Sequence, residues 1–271
     1  MEDDQIQSDL VTLGLIDEDE IVLDEAALSL ALLDHPDADP APFEELLEEI
    51  AIALVEAGGD ADTSAARADA LSAVLAEEFG FVGDSQTYDD PANADLIAVL
   101  DRRQGLPVSL AILYVAAARR LGWSAHVLDV PGHVLVLVGD EADPVIVDPF
   151  AGGTRVDAER LAALIAAATG GGKAVTHVAA MPNRAVLVRL LQNQAGRAEQ
   201  AGKGRRALDL YTRMTVMAPA YAHAWWQRAR LELVDGDVPA GRASLGAILE
   251  ITRDPAVRTK VTDTLAALPA G

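Results

Sequence analysis

Residues 107–148 read PVSLAILYVAAARRLGWSAHVLDVPGHVLVLVGDEADPVIVD, and this stretch decides the fold. Apolar residues recur at helical spacing from Pro107 to Leu121, and Gly122 ends the run. The period then becomes strand-like in three short runs rich in β-branched residues, 125–130, 133–138 and 145–147. The short connections between these runs predict an antiparallel meander, with the preceding helix packed across one face.

Helical patterns lie on both sides of this stretch. Before it, caps and helix-ending glycines or prolines bound four predicted helices, at 20–33, 43–57, 63–79 and 93–103. After it, one helix is predicted at 157–168, and residues 169–173 (TGGGK) are predicted to form a loop or hinge. From residue 183 the pattern is helical throughout, with predicted helices at about 184–200, 204–217, 221–235, 238–251 and 254–267.

The C-terminal helices carry an internal repeat. The patches Arg206-Ala207-Leu208 and Arg242-Ala243-Ser244 recur with a period of 36 residues, as do Pro219 and Pro255. This period is close to the tetratricopeptide length of about 34 residues, although several expected glycine and aromatic positions are missing. We therefore predict acidic N-terminal helices plus an α+β core at 1–180, and a tetratricopeptide-like helical tail at 181–271. Helical hairpins follow from the pattern, whereas peptide binding by the tail stays open.

The charge distribution is uneven along the 271 residues, whose formal net charge is −22. No lysine or arginine occurs before Arg67, whereas 20 of the 43 acidic residues do. From Met181 onward, 13 basic residues stand against 8 acidic ones. The acidic region is either a solvated face, or a surface that docks on the basic tail or on a basic partner. Nucleic acid is not an expected ligand, because its phosphates would be repelled and no basic patch is interleaved with aromatic residues.

The composition also bears on compartment and chemistry. The chain has no cysteine, which excludes disulfides, thiolate metal sites and a cysteine nucleophile. This fits the reducing cytoplasm, where we expect the protein to be found. Residues 1–4 contain neither a basic region nor an apolar run, so no signal peptide is predicted. The most apolar stretch, 106–118, is too short to span a bilayer, so no membrane insertion is expected.

Three polar residues in the central stretch have the order of a catalytic triad. Ser109 falls in the first turn of an apolar helix, where free backbone N–H groups stabilise developing negative charge. His133 opens a strand after a Pro-Gly turn, and Asp148 ends the next strand. A nucleophile, a base and an orienting carboxylate in this arrangement could perform acyl transfer. The alternative is structural: a helix-capping serine, a turn histidine, and an aspartate that makes a turn before proline.

Three sequence blocks resemble the bacterial SirB-type transglutaminase-like family. The first runs from Asp90-Pro91-Ala92-Asn93 through residues 99–110 (VLDRRQGLPVSL) to Leu113-Tyr114. The second is Pro131-Gly132-His133, and the third is Val147-Asp148-Pro149-Phe150 with Gly152-Gly153. The resemblance continues through residues 190–193 (LLQN) into the helical tail. It implies a papain/transglutaminase-like α+β core, a helix packed on a small antiparallel sheet.

The resemblance also implies roles for particular residues. In active members of the wider superfamily, cysteine, histidine and aspartate occupy the positions that Ser109, His133 and Asp148 match here. Serine in place of the thiol is a much poorer nucleophile unless its base is well placed. Arg102, Arg103 and Gln104 precede this serine. Gln104 could donate to an oxyanion and the arginines could bind a carboxylate, or all three could be surface groups at a helix end.

These observations support two functions of different classes. One is a catalytically degenerate protein that uses the family's cleft to bind a protein or peptide partner. The other is a serine hydrolase or acyl-transfer enzyme using Ser109, His133 and Asp148, and a purely structural role is a third possibility. No cofactor is expected, and no metal site is predicted because His35, His126, His177 and His223 lack acidic partners at metal-ligand spacing.

Overall fold

A computed structural model of the chain describes residues 10–140, 142–170 and 178–269. The chain divides into two compact units. One unit is Glu18–Leu187, and the other comprises Met1–Asp17 with Val188–Gly271. The boundary falls within one helix, Asn183–Gln200, and lies seven residues beyond the limit of 180 predicted from the sequence.

The first unit begins with helices. They are α1 (Leu23–Leu32), α2 (Ala41–Gly58), α3 (Ser64–Ser72), α4 (Leu96–Arg102) and α5 (Pro107–Arg120). Thr63 caps α3 by accepting a hydrogen bond from the Ala66 N–H at 3.1 Å. The predicted helix 63–79 is not α-helical throughout, because Ala73–Glu78 continues it as a π-helical segment. α5 is the centre of this unit, and its residues from Pro107 to Ala118 are all buried.

The predicted helix 93–103 is wrong in its first part. Pro91–Ala94 forms a short 3-10 helix, and α4 begins only at Leu96. Asp95 separates the two because its backbone is extended and its carboxylate accepts the Ala98 N–H at 3.2 Å. A side-chain cap of this kind starts a new helix at the residue that follows it.

A four-stranded antiparallel sheet follows α5. Its strands are β3 (Ala125–Val130), β4 (His133–Val138), β5 (Val145–Asp148) and β6 (Thr154–Arg155), and they lie side by side in this order. The predicted meander is thus confirmed, and β6 is an addition that the sequence reading missed. Leu128, Val130 and Leu135 form one apolar cluster with Leu161, Leu164 and Ile165 of α6 (Ala158–Thr169). The central sheet is therefore packed against helix.

Two very short strands were also missed. β1 (Val82–Gly83) pairs in parallel with β2 (Gln104–Gly105), so that Val82 lies opposite Gln104 and Gly83 opposite Gly105. Two residues are too few to show an alternating pattern, so no sequence signal marks them. Their effect is to fix the segment immediately before α5, where the candidate nucleophile lies.

The second unit is helical. Its helices are the end of α7 (Asn183–Gln200), then α8 (Gly204–Met217), α9 (Ala222–Val234), α10 (Val238–Ile251) and α11 (Pro255–Ala267). Residues 10–15 are also helical. The predicted helices of the tail agree with these bounds to within one residue at each end. The last three helices share an apolar core that includes Ala229, Leu245, Ile248 and Val261.

Two further expectations concern flexibility and membranes. Residues 171–173 of the predicted loop 169–173 lie outside the described residues. Thr169 is the last residue of α6, and Gly170 takes a left-handed conformation that ends the helix. Among the described residues, no helix is both long and apolar enough to cross a bilayer.

Candidate functional site

His133 and Asp148 lie together at the end of the central sheet. His133 Nε2 is 2.9 Å from Asp148 Oδ2, and both side chains are largely buried. Among the described residues, Nε2 has no partner that meets hydrogen-bond geometry. The pair is therefore a close contact in which the carboxylate faces one nitrogen of the imidazole.

Asp148 contacts His133 with one carboxylate oxygen and a backbone turn with the other. While Oδ2 faces His133, Oδ1 accepts hydrogen bonds from the backbone N–H groups of Phe150 at 3.1 Å and Ala151 at 3.3 Å. These bonds cap the short 3-10 turn Pro149–Ala151, as an aspartate before proline commonly does. The turn thus fixes the carboxylate that would orient the imidazole.

Ser109 is completely buried in the first turn of α5. Its Oγ donates a hydrogen bond of 2.9 Å to the main-chain carbonyl of Asn93. The same carbonyl also accepts the Leu106 N–H at 2.9 Å. Among the described residues, no hydrogen bond joins Ser109 to His133. The structure therefore pairs the predicted base and carboxylate, and engages the predicted nucleophile elsewhere.

Asn93 belongs to a buried polar network beside Ser109. Its Nδ2 donates to Asp84 Oδ2 at 3.1 Å and to the Thr87 carbonyl at 2.7 Å. Arg102 completes the network by donating to Asn93 Oδ1 and to Asp84 Oδ2, both at 3.2 Å. One of the two arginines expected to bind a carboxylate thus holds the carboxylate of Asp84.

Asp84 is the charged centre of this network. Thr87 donates to it through both its hydroxyl and its backbone N–H, and these bonds hold the pKa of the Asp84 carboxyl well below its usual range. Burial raises the pKa of Asp84, whereas hydrogen bonds from Asn93 and Gln86 lower it further. Asp84 is consequently ionised at neutral pH, which suits its contact with Arg102.

Arg103 and Gln104 have different surroundings. Arg103 ends α4 in a left-handed conformation, with φ of 59°, and its guanidinium lies over the ring of Phe81 at 4.9 Å. Burial lowers the pKa of Arg103. Gln104 is exposed in β2. Neither residue is hydrogen-bonded to the Ser109, His133 and Asp148 set among the described residues.

The aromatic ring of Phe150 packs against His133. The ring of Phe150 contacts His133 edge-on with centroids 6.2 Å apart, and contacts Tyr88 in the same way at 5.8 Å. Tyr88 is 41% exposed, so this aromatic patch (Tyr88, Phe150 and His133) reaches the surface. Gly83 packs closely against the Phe150 ring, since a Cβ atom at position 83 would lie 2.4 Å from the ring.

The family described as the transglutaminase-like superfamily matches residues 41–192, which include α5, the sheet and all the site residues above. The chain belongs to the transglutaminase-like superfamily. Expectations of a transglutaminase-like core are thereby confirmed at this level.

Relatives of this transglutaminase-like protein occur in bacteria and in animals. A "UPF0162 protein" of Xylella fastidiosa (strain 9a5c) is 28% identical over 245 residues, which cover 89% of this chain and 87% of the relative. "F-box only protein 21" of Homo sapiens is 29% identical over 164 residues, which cover 54% of this chain and 25% of that protein. Among solved structures, the crystal structure of menin matches with a TM-score of 0.41 and 13% identity, covering 97% of this chain and 74% of the menin chain.

Sequence reading missed two features of the transglutaminase-like site. One is the pair Asp84 and Thr87, which no motif marks because their partner Arg102 is distant in sequence. The other is Tyr114, whose buried hydroxyl has no hydrogen-bond partner among the described residues. Burial raises the pKa of Tyr114, and the negative charge of Asp148 raises it further. In the described part of the chain, no three His, Asp or Glu side chains cluster as metal ligands would.

Proposed function

We propose that this protein is a catalytically degenerate, SirB-type transglutaminase-like protein of the cytoplasm that binds a protein or peptide partner. The burial of Ser109, with its hydroxyl donated to the Asn93 carbonyl, is the observation that carries the proposal. A serine nucleophile must give its proton to a base, and this proton is already held by a backbone oxygen. A tetratricopeptide-like reading of the second unit belongs to the same proposal and rests on the 36-residue repeat.

The aromatic patch is the binding surface that we propose. Tyr88 and Phe150 present large rings at moderate exposure, and tyrosine and phenylalanine are enriched at protein interfaces. The neighbouring segment supplies Asp89 and Asp90, and the chain as a whole is strongly acidic. These features favour a peptide that combines an apolar or aromatic anchor with basic residues.

One observation favours the alternative, a serine hydrolase or acyl-transfer enzyme. His133 and Asp148 are 2.9 Å apart, as a base and its orienting carboxylate would be. In that case a rotation of the Ser109 side chain away from Asn93 would have to bring its hydroxyl to the imidazole. A fluorophosphonate probe distinguishes the two functions, because it labels a serine only when a base activates it.

The experiment compares wild type with Ser109→Ala. We expect no fluorophosphonate label on Ser109 in the wild-type protein. Labelling that disappears in Ser109→Ala would overturn degeneracy and establish the enzyme reading. For binding, peptides selected from a random display library on the wild-type protein are measured by fluorescence anisotropy against variants.

The matched variants for binding are Tyr88→Ala and Val234→Ala. Both positions are exposed, at 41% and 75%, and Val234 belongs to the helical unit, which does not contain the aromatic patch. We expect Tyr88→Ala to weaken the binding of the selected basic peptides about tenfold or more, since truncation of a tyrosine that anchors an interface costs about 1.4 kcal/mol or more. Equal affinities of both variants and wild type would exclude the aromatic patch as the binding surface.

A further inference from the structure

A pocket of about 410 Å³ lies in the Glu18–Leu187 unit, away from the site above. Its lining includes Asp19, Arg119, Trp123, His126 and Asn183. In the β3–β4 hairpin, His126 pairs with Leu137, whereas His133 pairs with Val130 at the other end. His126 and Val130 are four residue steps apart along β3, which corresponds to about 13 Å. The pocket and the His133 site are therefore distinct.

Arg119 is the central cation of this pocket. Its Nε donates to the Ala125 carbonyl at 3.0 Å, and Nη1 donates to Asn183 Oδ1 at 2.8 Å. Nη2 lies 3.5 Å from His126 Nδ1, at the limit of a hydrogen bond. Asn183 is itself held in place, because its Nδ2 donates to the Glu18 carbonyl at 2.6 Å. The guanidinium is thus fixed by neutral groups.

No carboxylate pairs with Arg119 within the described ranges of the chain. Its sequence neighbour provides a contrast, since Arg120 pairs with both Asp24 and Glu25. Burial lowers the pKa of Arg119, and no acidic neighbour offsets this effect. Because partly buried charges are normally paired, an unpaired guanidinium in a cavity indicates an anionic group supplied by a ligand.

His126 does not compete for such an anion. Burial lowers the pKa of His126, and the positive charge of Arg119 lowers it further. The imidazole is therefore neutral near pH 7, with Nδ1 facing Arg119 as an acceptor. This arrangement leaves Arg119 as the positive charge that a ligand would meet.

Two acidic residues, Glu18 and Asp19, also line this pocket. Glu18 is already paired, because its carboxylate lies 3.2 Å from Arg184 Nε and accepts the Arg184 N–H at 3.0 Å. Asp19 is exposed and forms no ion pair within the described residues. A simple anion would be repelled by this carboxylate, whereas a ligand that also carries a cation would be attracted to it. Trp123 supplies apolar surface to the lining of the same pocket.

We propose that this pocket binds a small zwitterion of the aliphatic α-amino acid class. Its carboxylate pairs with Arg119, its ammonium group faces Asp19, and its side chain packs on Trp123. A volume of about 410 Å³ lies within the range of about 300–1,000 Å³ that is usual for small-molecule sites. The site is independent of the degenerate cleft, and its test does not involve Ser109.

Isothermal titration calorimetry on the full chain tests the ligand class. The probes are L-leucine, 4-methylpentanoate, which lacks the ammonium group, and 3-methylbutan-1-amine, which lacks the carboxylate. We expect L-leucine to bind, the amine to bind at least about tenfold more weakly, and 4-methylpentanoate about two- to fivefold more weakly. The absence of L-leucine binding at millimolar concentration would overturn the proposal. Equal binding of all three probes would do so as well.

Variants locate the site. We expect Arg119→Met to weaken L-leucine binding by about tenfold or more, whereas Arg160→Met, an exposed arginine of α6, leaves it unchanged. An equal loss in both variants would reveal a net-charge effect and refute the site. If Arg119→Met fails to fold, Asp19→Asn provides the test. We expect this variant to bind L-leucine about two- to fivefold more weakly than wild type, with no loss of affinity for 4-methylpentanoate. Unchanged L-leucine affinity in Asp19→Asn would contradict the proposed orientation.

Discussion

Replacing Ser109 with alanine should destabilise the protein, because the structure gives this hydroxyl a structural bond. Ser109 is fully buried and donates to the Asn93 carbonyl at 2.9 Å. A catalytic serine would respond differently, since active-site residues are often held at a cost to stability and their removal is then neutral or stabilising. The sign of the change therefore distinguishes the two roles.

The magnitude follows from the local contacts. Loss of a buried neutral hydrogen bond costs about 1 kcal/mol, within a range of about 0.5–1.5. The Asn93 carbonyl keeps its second donor, the Leu106 N–H, so no buried acceptor is left bare. Alanine recovers up to about 0.5 kcal/mol through its higher helix propensity. We expect Ser109→Ala to lower the free energy of unfolding by about 0.5–1 kcal/mol.

Urea denaturation measures this difference. Two compact units need not unfold together, so a Trp225→Phe/Trp226→Phe background leaves Trp123 as the reporter of the Glu18–Leu187 unit. With a slope of about 2 kcal/mol per molar urea, the midpoint should fall by about 0.25–0.5 M.

The matched control is Ser29→Ala in α1, where an exposed serine donates to the Glu25 carbonyl at 2.9 Å within its own helix. We expect no loss of stability there. A midpoint for Ser109→Ala at or above that of Ser29→Ala would refute the structural role of the Ser109 hydroxyl.

Two further predictions concern the surroundings of Ser109. The pKa of Asp84 is lower in the folded than in the unfolded state, so ionised Asp84 stabilises the fold above its unfolded pKa of about 4, and this stabilisation is lost as the pH falls toward its folded pKa. In Asp84→Asn, the free energy of unfolding should therefore decline less steeply below about pH 4 than in wild type. An unchanged slope would contradict this prediction. Gly83→Ala should lower the free energy of unfolding by about 1–3 kcal/mol, measured by thermal unfolding, because the new Cβ would overlap the Phe150 ring. The control Gly246→Ala should raise it, because Gly246 lies inside helix α10 with open space around it.

Most of the fold follows from local sequence signals. Capping residues and helix-ending glycines place the helices, and the change of period after Gly122 places β3, β4 and β5. The failures have local physical causes. The π-helical segment Ala73–Glu78 keeps a helical hydrophobic pattern, so sequence periodicity does not distinguish it from α-helix. The two-residue strands are defined by their partners and carry no periodicity of their own.

The site was predictable only in part, because its polar contacts join distant segments. The order of blocks indicates His133 and Asp148, and these residues do meet. Arg102 has the residue type of a substrate-binding group, yet its guanidinium contacts Asp84, eighteen residues earlier in the chain. Sequence order does not reveal whether an arginine already has a partner within its own fold.

The bond from Ser109 to Asn93 offers a physical reason for serine at this position. A hydroxyl has one proton, so Ser109 cannot donate to the Asn93 carbonyl and to an imidazole at the same time. A thiol is a much weaker donor, and the cysteine implied for active members would be less firmly held by the same carbonyl. Serine thus ties the start of α5 to the segment that Asp84, Asn93 and Arg102 rigidify. The same bond keeps Ser109 buried, whereas Tyr88 of the aromatic patch is exposed, in agreement with the proposal that this patch and not Ser109 meets a partner.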